Sequence, residues 1–319
     1  MTKKVYRVRN WPEYTKSLVQ RGNITLWFNK DNMAEWQYTG KRKPGGVQKY
    51  SSLAVKTALL IKEIFRLTYR SCQGFLQSLC KLMGNEEQSI ISFTQLSRRA
   101  KELSHILKLS KVKKIKDIVI DSTGIRVYGE GEWLRKKFHK DKQSGWLKLH
   151  AAIDADSQEI VSMDISDGRS YDADHFESLI NDVQGTIEKI YADGAYDKRK
   201  CYKTAYCRDA KLITPPQRTA CLQKDNRNNE PDVALDDRDQ AVLFIRAHED
   251  YECGRKKWKE MTGYHTRSLV ETAMFRIKSI FGDIVRNKKK ENQHAQLMLR
   301  CYILNQLTNL GMPQSVRVA

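Results

Sequence analysis

Asp117-Ile118-Val119-Ile120-Asp121-Ser122-Thr123-Gly124 is an apolar run that closes on a carboxylate. Its β-branched residues predict a buried strand, which residues 125–127 continue. A second apolar run, 187–193, ends the same way in Ile190-Tyr191-Ala192-Asp193-Gly194-Ala195-Tyr196-Asp197. Between them, residues 147–154 and 159–165 read as strands. A turn follows at 168–171, and Asp172 or Asp174 is placed to cap a helix through Ile180. Residues 197–208 read as a helix, and 211–214 as a short strand stopped by Pro215-Pro216. This order predicts an α/β class, with helices flanking a mixed sheet and Asp121 and Asp193 at neighbouring strand ends.

A third acid comes from 264–281. At about 100° per residue, a helix there sets Tyr264, Arg267, Glu271 and Lys278 within about 60° of one another. Leu269, Val270, Ala273, Met274, Ile277, Ile280 and Phe281 fall on the opposing face, which reads as core. Hard cations such as Mg²⁺ take carboxylate oxygens, and two of them can bracket an in-line phosphoryl displacement. Asp121, Asp193 and Glu271 suit that chemistry, with Arg267 and Lys278 placed for phosphates and Tyr264 for a hydrogen bond or stacking nearby. On face segregation alone, a solvated charged helix is the better reading.

The partner class follows from charge. The 319 residues carry 57 Lys and Arg against 38 Asp and Glu, a formal net charge of +19. A polyanion such as double-stranded DNA is the natural partner. Hydrophobic residues make up 40%, enough for a sizeable core, and no apolar run is long enough to span a membrane. The seven cysteines show no paired Cys-x2-Cys spacing for zinc, and the basic N-terminus has no apolar segment or cleavage site behind it. A soluble, reduced, cytoplasmic protein with buried thiols is expected.

Residues 1–112 read as a mostly helical, helix-turn-helix-like DNA-binding region, and 113–319 as the catalytic domain, with 217–258 a loop or small insertion. Ser51-Ser52 caps a helix, 74–83 forms a second, and 92–103 a third that carries Arg98, Arg99 and Lys101. A plain helical bundle with a charged face fits the same pattern. Arg135, Lys136, Lys137 and Lys140 form a basic loop, and Lys288-Lys289-Lys290 a second run; each suits phosphate backbone or a solvated surface. Trp133 and Trp258 are open to stacking on an unpaired base or to the core.

Taken together, these motifs closely resemble the bacterial DDE transposases of the insertion sequence 5 family. The signature Tyr-x2-Arg-x3-Glu-x6-Lys is complete in Tyr264, Arg267, Glu271 and Lys278. Asp121-Ser122-Thr123-Gly124, Gly129-Glu130-Gly131-Glu132-Trp133, Lys148-Leu149-His150 and Asp193-Gly194-Ala195-Tyr196-Asp197 also match. So do Asn10-Trp11-Pro12, Gln20-Arg21-Gly22, Ser97-Arg98-Arg99-Ala100-Lys101 and Leu310-Gly311-Met312-Pro313, so the resemblance covers almost the whole chain. Thr266, Gln217 and Leu147 depart from the pattern without touching an expected metal ligand.

The resemblance implies a ribonuclease-H-like catalytic domain that uses two Mg²⁺ ions, with Mn²⁺ able to substitute. It implies cleavage at the terminal inverted repeats of a mobile element and transfer of 3′-hydroxyl ends into target DNA. Asp121 would bridge both ions, Asp193 would hold one, and Glu271 would complete the set. A homodimer on DNA and a bacterial, nucleoid-associated location are expected. Asp172 and Asp197 read as helix caps, and His139 and His150 as structural or DNA-facing, since histidine matches an all-oxygen Mg²⁺ site poorly.

Overall fold

The computed structural model describes residues 5–41, 47–85, 89–103, 107, 109, 115–129, 145–223 and 232–318. The chain divides into two compact units, Met1–Lys108 with Asn287–Ala319, and Leu109–Arg286.

The first unit opens with strand β1 (Val5–Val8) and helix α1 (Trp11–Arg21), where Pro12 occupies the first turn and needs no N–H. A short helix α2 (Lys30–Ala34) follows. Helices α3 (Ser52–Ile64), α4 (Tyr69–Leu82) and α5 (Phe93–Arg99) begin at side-chain caps. Ser51 accepts the Ala54 N–H at 3.0 Å, and Thr68 and Ser92 do the same for Ser71 and Gln95. The third predicted helix stops early: Ala100–Glu102 tightens into a 3-10 turn.

The second unit is built on strand β2 (Asp117–Val127). β3 (Trp146–Asp154) runs antiparallel to β2, and β4 (Ile160–Asp167) antiparallel to β3. After helix α6 (Phe176–Asp182), β5 (Lys189–Tyr191) returns parallel to β2. Helix α7 (Arg199–Tyr206) then leads to β6 (Lys211–Ile213), parallel to β5. The order β4-β3-β2-β5-β6 is a mixed sheet flanked by helices, as the sequence predicts.

Ile118 and Ile120 on one face of β2 bury against Phe176, Leu179, Ile180 and Tyr202 from α6 and α7. Helix α8 (Asp236–Arg246) and helix α9 (Tyr251–Thr262) occupy much of the segment 217–258 that the sequence leaves as a loop or small insertion. Gly263 ends α9 at φ 69°, a left-handed cap that costs glycine nothing. Helix α10 (Ser268–Phe281) packs on β2 and β3, and β7 (Ile284–Val285) pairs with the far end of β2.

Helix α11 (Lys290–Asn309) and strand β8 (Ser315–Val318) return the chain to the first unit. The sequence division carries the catalytic region on to 319; the packing corrects this at the tail. Gln296 Nε2 and Arg300 Nε of α11 donate to the buried Glu63 carboxylate at 2.8 and 3.2 Å, and Lys62 meets it at 2.7 Å. Asn292 donates to the Ser97 carbonyl at 3.0 Å, and β8 pairs antiparallel with β1.

Among the described residues no helix is long and apolar enough to cross a membrane. Cys72, Cys80, Cys201 and Cys301 are buried thiols as expected, whereas Cys207, Cys221 and Cys253 are exposed.

Candidate functional site

The β2–β5 register explains where two of the acids lie. Val119 pairs with Tyr191, so the same parallel alignment continued two residues further sets Asp121 beside Asp193. On this edge β5 pairs residues 117–119 of β2 and β7 pairs 126–127, so Asp121 lies between the two ladders. Asp121 Oδ1 accepts the Ser122 N–H at 2.8 Å, and Oδ2 accepts Arg267 Nη1 at 2.9 Å. Burial pushes the Asp121 carboxyl above its ordinary range, against the pull of Ser122 and Arg267.

Asp193 caps a 3-10 turn at Gly194–Tyr196, its Oδ1 accepting the Ala195 N–H at 2.9 Å. The Thr214 hydroxyl holds its backbone carbonyl at 2.5 Å. Glu271 stands exposed on the first turn of α10 and accepts from Arg267 Nη2. One guanidinium therefore joins Asp121 on the sheet to Glu271 on the helix. Among the described residues, no three His, Cys, Asp or Glu side chains stand close enough to form a ready metal-ligand cluster. The donor chemistry nonetheless fits a hard cation: all three side chains offer carboxylate oxygens, and the desolvated Asp121 is already held against positive charge.

The predicted line of Tyr264, Arg267, Glu271 and Lys278 needs one correction. Helix α10 begins at Ser268, and Tyr264–Arg267 is a 3-10 turn entering it. Tyr264 is 8% exposed, with its ring 5.8 Å from that of the buried Trp258 and the Lys259 ammonium 5.4 Å from its centroid. Burial pushes its phenol up to about 12. Tyr264 is thus a packed support rather than an open contact, and Trp258 is core. Lys278 lies in the last turn of α10, half-buried.

Arg98 and Lys101 are exposed at the end of α5 and in the turn after it. Arg99 is committed inward, donating to Glu102 at 3.0 Å and to the Tyr50 carbonyl at 2.6 Å. Trp133, Arg135, Lys136, Lys137, His139 and Lys140 lie outside the described residues.

The rival acids have other partners. Asp197 is buried and bridged by Arg238 at 2.8 Å, with the Gln217 N–H at 3.1 Å. Asp172 accepts from Ser122 Oγ at 2.8 Å and Lys148 Nζ at 3.1 Å. Beside it His150, fully buried, stacks on His175 at 4.3 Å and meets Ser166 Oγ at 2.8 Å. Burial, then the neighbouring His175, brings His150 down to about 4. Lys148 and His150 share a strand face by their spacing, a signal visible in the sequence; their partner Asp172 arrives from another element.

A family model described as a transposase DDE domain matches residues 113–306, and a second of the same description matches 19–130. Among solved structures, the piggyBac transposase synaptic complex with hairpin DNA is similar at 12% identity and a TM-score of 0.45, covering 91% of this chain and 76% of that one.

Proposed function

Because the chain belongs to the DDE transposases, we propose that Asp121, Asp193 and Glu271 hold the divalent metal with which it cleaves and transfers DNA. The observation that carries this reading is the convergence at Arg267, which lies 146 residues from Asp121 in sequence and ties it to Glu271, while the sheet register brings Asp193 alongside. Mg²⁺, as two ions with Mn²⁺ able to substitute, would supply Lewis-acid activation of water or a 3′-hydroxyl and stabilise the leaving oxygen.

The chain's own groups do the rest. The Ser122 N–H fixes one oxygen of Asp121. The turn at Gly194–Tyr196 fixes Asp193. Arg267 and Lys278 flank Glu271 in sequence and bind backbone phosphates on either side of the scissile bond. Tyr264 braces the turn that aims Arg267.

The substrate in this reading is the terminal inverted repeat of an element of the insertion sequence 5 type, with 3′-hydroxyl ends joined to target DNA. The first unit recognises the repeat, with Arg98 and Lys101 facing DNA and Arg99 holding α5 in place; Arg135, Lys136 and Lys137 add a backbone contact. Joining two ends needs two sites, so the working form on DNA is a homodimer.

The test is cleavage of a labelled duplex carrying the element's terminal repeat, with Mg²⁺. Wild type cuts at the repeat boundary, and Asp121→Ala, Asp193→Ala and Glu271→Ala each lose about 100-fold or more while still binding the duplex. Cutting that survives Asp193→Ala overturns the assignment of that carboxylate, and repeat binding without cutting by wild type overturns the enzymatic reading.

A further inference from the structure

Helix α9 presents cations that the reading above leaves unused. Arg255 and Lys259 are one turn apart, so they share a face. That face meets the turn that follows: Lys259 Nζ lies 5.4 Å from the Tyr264 ring centroid, and the left-handed Gly263 folds the chain back from α9 into Tyr264–Arg267. Arg255 and Arg267 both act on Lys259, and burial with this like charge holds its ammonium below the usual lysine range.

Lys259 thus stands over one buried tyrosine, and the charges of Arg255 and Arg267 bear on the same phenol. Glu252 offsets Lys259 in part, and Asp121, Asp193 and Glu271 act on Arg267. The Nε of Arg255 is buried without a hydrogen-bond partner among the described residues. A buried guanidinium N–H in that condition asks for an acceptor, and a like-charged cluster asks for an anion.

We propose that Arg255, Lys259 and Arg267 form a phosphate-binding site for the DNA backbone beside the catalytic carboxylates, and that Arg267 exchanges partners there. In the free chain its guanidinium is shared by Asp121 and Glu271. A divalent cation held by the Asp121 and Glu271 carboxylates would compete with the guanidinium for the same negative charge. A phosphate held by Arg255 and Lys259 gives Arg267 somewhere to go. Metal and DNA then favour one another's binding, a coupling that is reciprocal by linkage. This inference rests on the metal role proposed above.

The experiment uses the full chain, Mn²⁺ titrated by electron paramagnetic resonance, and a 20-base-pair duplex of arbitrary sequence. With wild type the duplex tightens Mn²⁺ binding by about 10-fold, within the usual range of coupling. Arg255→Gln with Lys259→Gln abolishes that tightening, leaves Mn²⁺ affinity without DNA within about 2-fold, and lowers the salt slope of duplex binding by about one. Arg267→Gln binds Mn²⁺ more tightly than wild type without DNA.

A double variant that keeps both the tightening and the salt slope overturns the phosphate site. An Arg267→Gln chain no tighter for Mn²⁺ overturns the exchange. Asp121→Asn that binds Mn²⁺ as wild type does overturns the metal reading instead, so the failures are distinct. The conservative Arg255→Lys with Lys259→Arg restores the slope, which separates a lost contact from a misfolded α9.

Discussion

His150 has no exposed surface, yet it is an ionisable group one strand away from Asp121. In the folded chain it sits at about 4, against an ordinary value of 6.5. Between those values the unfolded chain takes up a proton that the folded chain refuses, so stability falls as pH drops from above 6.5 toward 4. The full effect is on the order of 3 kcal/mol. Urea unfolding at pH 7.5 and pH 5 reads it: wild type loses stability on acidification, and His150→Gln loses distinctly less. Equal losses in the two proteins would mean that another group carries the acid sensitivity. At this scale the sequence was most legible where a residue's role depends on its own strand. Asp121 and Asp193 end apolar runs; Asp193 lies just past the end of β5 as that pattern predicts, whereas Asp121 falls inside β2 rather than at its end. Tyr264 was not legible, because the helical wheel extends through residues that the chain winds as a 3-10 turn. The role of Arg99 was hidden for a different reason: besides its local partner Glu102, it donates to the distant Tyr50 carbonyl, which no local pattern announces.

Among elements, α8 and α9 show what composition leaves undecided. Polar residues dominate 217–258 and leave it a loop or a small insertion; in the structure Val242 and Ile245 of α8 and Gly254 and Trp258 of α9 are buried. The two helices approach closely at Gly254, where an added Cβ would lie 2.3 Å from the Ile245 carbonyl oxygen. Backbone cannot yield as a flexible side chain does, so Gly254→Ala forces α9 away from α8 at a cost of about 1–3 kcal/mol. Gly74 in α4 is the control, since a Cβ there meets nothing within 4 Å. Gly74→Ala gains about 0.5–1 kcal/mol from helix propensity. Thermal unfolding of the two variants checks both signs, and a neutral Gly254→Ala would refute the close packing. The strands were legible because apolar runs bounded by turns have few alternative readings. The sheet's order was less so, because the pairing of β2 with β5 and β7 on one edge joins segments far apart in the sequence.

For the whole molecule, the long-range feature is the return of α11 and β8 to the first unit. Nothing local in 287–319 marks that destination: α11 buries Asn292, Gln293, Gln296, Arg300 and Asn305 alongside its apolar residues, so its periodicity is blurred. What fixes it is the buried Glu63 carboxylate, which burial pushes up and which Lys62 and Arg300 pull back below its ordinary range. Removing one partner of a buried ion group leaves an uncompensated charge, so Arg300→Leu is expected to cost about 3–5 kcal/mol. Calorimetry should show the loss in the transition of the first unit, with that of the second unchanged; a uniform shift of both would contradict it. The discontinuity has a temporal side as well. A ribosome finishes every residue of the second unit before it makes α11 and β8, so the unit begun first is the one completed last. The sheet that carries the acids can close on the emerging chain while the helices begun earlier still wait for the strand and helix that complete them.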